Sequence, residues 1–193
     1  MNKPALALAI ALAAVAVLLY VAPTTGEGEE EGAPTAGDDE SNFLYDTVEE
    51  MTNAITGWPT GSAPYRNTIQ AAADSNGVPA SILAWLLWKE SRYNPQIING
   101  AIRSPTGAMG IAQFMPGTAK EELGSEAAAL DPARAIPGAA RYLAKLYRST
   151  GTWQGALAAY NWGIGNVQRK GLARAPAETR DYYTTILNKS GYA

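Results

Sequence analysis

Residues 79–92 read PASILAWLLWKESR. Pro79 suits the first turn of a helix, where its missing N–H costs nothing, and Asn94-Pro95 ends the run. At the helical repeat, Ile82, Leu86 and Glu90 follow one another at four-residue spacing, and Leu83 lies seven residues before Glu90. Glu90 therefore falls on the apolar stripe. Burying a carboxylate charge is costly, so the expected response is a raised pKa that keeps a proton near neutral pH. A carboxyl in that state can act as a general acid. Position alone also allows a second reading, a Glu at the edge of the stripe that reaches water or pairs with a base.

Working outward, punctuation places the neighbouring helices. Residues 65–75 start after Pro64 and stop at Asn76-Gly77. Thr118-Ala-Lys-Glu121 has capping-box spacing, and Gly124 stops that helix. Pro137 is expected to open a helix through Arg148, closed by Thr150-Gly151. Residues 153–160 form another helix, ended by the Gly-rich NWGIGN, and a last helix covers 177–189. No alternating strand pattern and no internal repeat is visible. From Tyr65 onward the chain reads as one all-α domain with a long structured loop at 94–117.

Composition narrows the chemistry. The 193 residues include no cysteine and no histidine. Disulfides, thiolate or histidine-ligated metal sites, and Ser-His or Cys-His couples are excluded. Catalysis must rest on carboxylates, Tyr, Lys or backbone groups. The net charge of −3 hides an asymmetry: residues 1–40 carry seven acids and one base, and residues 41–193 hold 11 acids and 14 bases. A mildly basic domain suits an anionic polymer, and equally an ordinary solvated surface. The bases are scattered, so nucleic acid is not an expected partner.

The N-terminal region reads differently. Pro4 to Ala22 is a 19-residue stretch without charge. As a helix it spans about 28 Å, close to the bilayer core. Lys3 precedes it and acids follow, which puts the N-terminus in the cytoplasm and the rest outside. A cleaved signal peptide competes, but Tyr20 occupies the position that wants a small residue. The reading is therefore an anchor over 1–22, with the membrane contacted through residues 4–22. Residues 23–42, rich in Gly, Pro, Thr and acids, form a disordered linker that gives reach. Residues 43–60 are a short helical lead-in, and 61–193 the globular domain.

The motifs around Glu90 carry the functional reading. Glu90-Ser91-Arg92-Tyr93-Asn94-Pro95 is followed by Gly107-Ala-Met-Gly110-Ile-Ala-Gln113-Phe-Met115-Pro116, then Ala159-Tyr160-Asn161-Trp162-Gly163, then Glu178-Thr179-Arg180-Asp181-Tyr182-Tyr183. In this order the set resembles the soluble lytic transglycosylase (SLT) domain, a family with a goose-lysozyme-like helical fold, over residues 65–190. The resemblance implies that Glu90 is the catalytic acid/base and Ser91 supports it. Gly110 to Met115 match the floor of the groove, with Gln113 and Met115 touching substrate. Tyr160 and Asn161 match its lining pair, Glu178 the acid of the Glu-Thr-Arg motif, and Tyr182 the tyrosine that orients the catalytic carboxyl. Ala112 departs from the larger residue common in the family, and Trp162 stands where a small one is common.

Other readings of these residues stay open at this point. Trp85 and Trp88 read as core, Trp162 as packing or a sugar platform, and Arg180 as an ion-pair partner of Glu178. The implied partner is peptidoglycan, the implied reaction is non-hydrolytic cleavage with no metal or cofactor, and a hydrolytic muramidase or a non-catalytic wall-binding module are the alternatives. The context is a bacterial wall-remodelling enzyme, a phage protein of a virion membrane, or an accessory to a secretion complex.

Overall fold

A computed structural model describes residues 57–192. The anchor, the linker and most of the lead-in fall on residues 1–56, outside the described residues. Among the described residues no helix is long and apolar enough to cross a membrane. The described part is helical throughout, with one isolated antiparallel bridge between Met109 and Phe114.

After a short 3-10 turn at Ala63–Tyr65 come α1 (Arg66–Asn76), α2 (Ala80–Ser91), a single turn α3 (Pro95–Ile98), α4 (Pro116–Leu123), α5 (Pro132–Thr150), α6 (Trp153–Trp162), α7 (Ile164–Lys170) and α8 (Ala177–Ser190). Further 3-10 turns lie at Ala127–Leu130 and Leu172–Arg174. Three glycine stops hold: Gly77, Gly124 and Gly151 take the left-handed conformation that an L side chain resists, closing α1, α4 and α5.

Two helix starts differ from the sequence expectation. α4 begins at Pro116 rather than at a Thr118 cap, because Pro116 itself takes the first helical position, and no side chain caps this helix. α5 begins at Pro132, and Pro137 lies inside it. Asp131 is the true N-cap, its carboxylate accepting from Ala133 N at 2.9 Å. Asp131-Pro132 is an equally good start signal five residues earlier, and Pro137 sacrifices one intrahelical hydrogen bond. The segment read as a terminating glycine run holds α7, and the loop 94–117 holds α3, which Asn94 caps through Gln96 N.

α2 is buried on most of its surface: Ile82, Leu83, Ala84, Leu86 and Leu87 have no exposure. It packs between α1 and α8. α5 packs on α1, α4 and α6, and α6 on α8. The inner face of α5 is made largely of small residues, including Ala135, Gly138, Ala139 and Ala140, which let neighbours approach closely. A Cβ on Gly138 would stand 2.0 Å from Leu123 Cδ2, so α4 rests directly on the α5 backbone there. Trp85 and Trp88 pack half-buried against the core, in edge-on contact with ring centroids 5.2 Å apart.

Candidate active site

The end of α2 is where local backbone and site chemistry meet. Glu90 sits in the last turn, half-buried. Immediately after it, Arg92 (φ 54°) and Tyr93 (φ 53°) both take the left-handed region, which is costly for residues other than glycine. Their surroundings hold them there. Arg92 N donates to Trp88 O at 2.8 Å, and the Arg92 guanidinium lies over the Trp88 ring at 3.5 Å. The Tyr93 hydroxyl donates to Ala84 O at 2.9 Å, and its ring stacks on Tyr65. Ser91 completes this turn: it has no exposure, donates to Leu87 O and accepts from Tyr93 N. Ser91, which the resemblance sets beside Glu90 and which is also expected among the substrate-binding residues, has its hydroxyl engaged by the backbone of this turn and no exposed surface to offer a substrate.

Glu90 Oε1 accepts a 2.5 Å hydrogen bond from the Tyr182 hydroxyl of α8, 92 residues away in sequence. Burial pushes the Glu90 carboxyl up to about 7 from an ordinary 4.5, against the Tyr182 hydrogen bond and the Lys89 charge, which both pull it down. Tyr182 is itself buried, and burial holds its phenol well above the usual range, so it stays a neutral donor.

Tyr160 leads to a turn at 109–114. Met109 and Phe114 exchange two backbone hydrogen bonds of 3.0 Å. Gly110 O accepts from both Gln113 N (3.2 Å) and Gln113 Nε2 (2.9 Å), with Gln113 at φ 46°. The Tyr160 hydroxyl of α6 donates to Ala112 O at 2.9 Å and pins this turn. Tyr160 also lies within electrostatic reach of Glu90, and its ring meets Phe114 and Tyr142. Its neighbour Asn161 faces α8, where Oδ1 accepts from the Thr179 hydroxyl at 2.7 Å.

The structure thus joins Glu90 to Tyr182, sets Tyr160 near Glu90 and ties it to the turn that carries Gln113, and links Asn161 to α8 through Thr179. Met115 is 45% exposed at the start of α4 and makes no polar contact with them. Glu178 is exposed in the first turn of α8, where a carboxylate favours the helix dipole. Arg180 donates to Ala175 O rather than to Glu178, and no ion pair joins the two among the described residues. Trp162 is half-buried, packed on the core with Lys170 over its ring. Sequence reading missed Thr179, which lies inside the quoted Glu-Thr-Arg motif, and Tyr142, which carries no motif signal.

A family model described as the transglycosylase SLT domain matches residues 67–183, which span Glu90, the turn, Tyr160-Asn161 and Tyr182. The chain belongs to this family. Curated relatives of the SLT domain include membrane-bound lytic murein transglycosylase F 1 of Alkalilimnicola ehrlichii, 36% identical over 126 residues, 61% of this chain and 23% of that protein. Another is the peptidoglycan transglycosylase gp16 of Escherichia phage T7, 33% identical over 138 residues, 64% of this chain and 10% of that protein. The chain therefore spans between a tenth and a quarter of these two relatives. Among solved structures, the 70 kDa soluble lytic transglycosylase of Escherichia coli superposes with a TM-score of 0.59 at 27% identity, covering 79% of this chain and 28% of that one.

The retained proton has a thermodynamic signature. A carboxyl whose folded-state pKa of about 7 exceeds its ordinary 4.5 binds its proton more tightly when folded. That contribution is fully present below about pH 4.5 and is lost as pH rises through 7. Its ceiling is about 3 kcal/mol, reduced by the partial exposure of Glu90. The Glu90→Gln variant has no such proton, so its stability relative to the native chain should improve by about 1–3 kcal/mol between pH 5 and pH 8. Urea unfolding of both proteins at the two pH values checks this. A stability difference independent of pH would mean that Glu90 titrates normally.

Proposed function

We propose that this chain is a peptidoglycan lytic transglycosylase that cleaves the β-1,4 bond between N-acetylmuramic acid and N-acetylglucosamine with Glu90 as its acid and base. The observation that carries the reading is the half-buried Glu90, protonated near neutral pH and gripped on one oxygen by Tyr182. Because Tyr182 donates to Oε1, the proton of Glu90 sits on Oε2, free to meet substrate.

Glycosidases commonly use two carboxylates across the scissile bond. Here the substrate supplies the second group. Glu90 protonates the glycosidic oxygen, and the bond from that oxygen to the muramoyl anomeric carbon breaks. The muramoyl N-acetyl group stabilises the positive charge at that carbon. The Glu90 carboxylate, now stabilised by the Tyr182 hydrogen bond and the Lys89 charge, takes the proton of the muramoyl 6-hydroxyl. The 6-oxygen then bonds the anomeric carbon, giving a 1,6-anhydro end with no water consumed. The nucleophile is held in the same sugar, so the step gains from proximity.

The remaining named residues serve the groove in this reading. The turn with Gln113 forms its floor, Met115 offers an apolar contact, and Asn161 and Glu178 line its α8 side. Tyr160 holds the floor next to Glu90 through Ala112. The segment 1–22 anchors the domain and 23–42 tethers it, with residues 61–193 on the wall side of the membrane. Relatives named as membrane-bound support that placement.

Mass spectrometry of fragments released from purified peptidoglycan tests the proposal. Anhydro ends should dominate, about 18 Da lighter than hydrolysed ends because no water is added. Reducing ends would make the protein a muramidase on the same fold. No release by folded protein would favour a wall-binding module.

A further inference from the structure

The Glu90–Tyr182 contact has a neighbour. One residue earlier on each helix, Lys89 Nζ donates to Asp181 Oδ2 at 2.6 Å. Successive residues on a helix point about 100° apart, so the two ties leave α2 in different directions and meet α8 in different directions. α2 and α8 are packed together and are tied at their far ends by Ser81 Oγ, which donates to Ser190 O at 3.2 Å. At the Glu90 end the two diverging contacts add a local restraint on roll, and with it on displacement of the carboxyl. The Lys89 side chain is 18% exposed against 68% for Asp181, so the lysine stem lies covered on α2 and its ammonium meets the carboxylate at the surface.

We propose that Lys89 and Asp181 are a positioning pair for the catalytic carboxyl: the pair restrains the roll of α2 on α8 about the seating that the buried core gives it, and it holds one positive charge at a fixed place beside Glu90. The proposal rests on the reading of Glu90 as the acid and base. Lys89 and Asp181 are positioning residues, since neither touches substrate in this reading.

The surrounding groups define what each change does. On α2 stand Lys89 and Arg92, on α8 Asp181, Tyr182 and Thr185, and on α6 Tyr160. Arg92 is held over Trp88 and also acts on Asp181, whose carboxyl the Lys89 ammonium keeps below the usual range. Tyr160 and Tyr182 stay neutral, because burial raises both phenols well above 10. Near neutral pH, Glu90 is therefore the group among these that changes charge. Removing Lys89 takes away a cation that favours its charged form. Removing the Asp181 carboxylate leaves that cation without its counter-charge.

The test is a carbon-13 NMR titration of glutamate carboxyls in the 193-residue chain, with the Glu90 signal assigned by its loss in Glu90→Gln. Lys89→Met should move the Glu90 midpoint up by about half a pH unit, and Asp181→Asn should move it down by less, because the Asp181 carboxylate is exposed and screened. The double variant should move back toward the native midpoint from that of Lys89→Met while its kcat for fragment release falls about 3- to 10-fold, with KM within about twofold. That split separates the lost clamp from the restored charge balance. Shifts of the same sign, or none, would overturn the proposal, and an undiminished kcat in the double variant would overturn its positioning half. Asp181 is exposed, so Asp181→Asn keeps the test sound even where Lys89→Met folds poorly. The titration needs no turnover, so a native chain that releases no fragments would count against the proposed function alone.

Discussion

Glu90→Gln is expected to lower fragment release by about 10²- to 10⁴-fold, the size of a general-acid effect. The substitution is nearly isosteric, and its amide oxygen can still accept from the Tyr182 hydroxyl. Fold and polymer binding should therefore survive. What disappears is the transferable proton on Oε2 and the carboxylate that follows it. Both halves of the proposed reaction pass through this one side chain, and no second carboxylate among the described residues hydrogen-bonds to it. A loss confined to kcat, with native affinity for insoluble peptidoglycan in a pelleting assay, is the expected result. A variant with undiminished release would remove Glu90 from the chemistry.

Gly110→Ala is expected to be the most damaging small substitution in the site. An added Cβ would stand 1.7 Å from Ala129 O and 2.7 Å from Ala129 C, and these are backbone atoms that cannot rotate away. Gly110 also has φ 73°, which an alanine adopts only with strain. The turn must lift from the Ala127–Leu130 segment, and it carries Ala112, to which Tyr160 is bound. The expected loss is about 3–5 kcal/mol, or about 10–15 °C in melting temperature. Gly107→Ala provides the control. Its φ is 84°, but its Cβ would meet Pro116 Cγ only at 3.9 Å, so backbone strain of about 1 kcal/mol is all it should cost. Thermal melts of the two variants within about 2 °C of each other would show that the contact with Ala129 is not rigid.

The two glycines show where sequence reading stops. Gly107 and Gly110 look alike in the motif, as turn residues three apart in one loop. Only packing distinguishes them, because the obstacle to Gly110 comes from a segment some 20 residues later. Helix starts show the same limit on a smaller scale. Pro137 and Pro132 both satisfy the rule for a first turn, and Asp131 decides between them by capping Ala133. Ser91 is a third case. The motif marks it as a partner of Glu90, but its hydroxyl is spent inside the left-handed turn.

The all-helical class, the exclusion of thiol and imidazole chemistry, and the choice of Glu90 as the candidate acid all follow from the sequence. The first two rest on composition and on the 3.6-residue period, which local backbone geometry imposes on any helix, whereas the choice of Glu90 rests on the motifs that resemble the SLT family, since the period alone left a second reading open. The tertiary structure decided what surrounds Glu90. Tyr182 reaches it across 92 residues, Tyr160 holds the turn carrying Gln113 across 48, and Lys89 meets Asp181 on the neighbouring faces of the same two helices. Such contacts depend on how helices pack and roll against one another. That packing reflects the summed shape of many buried side chains, which no local pattern in the chain records.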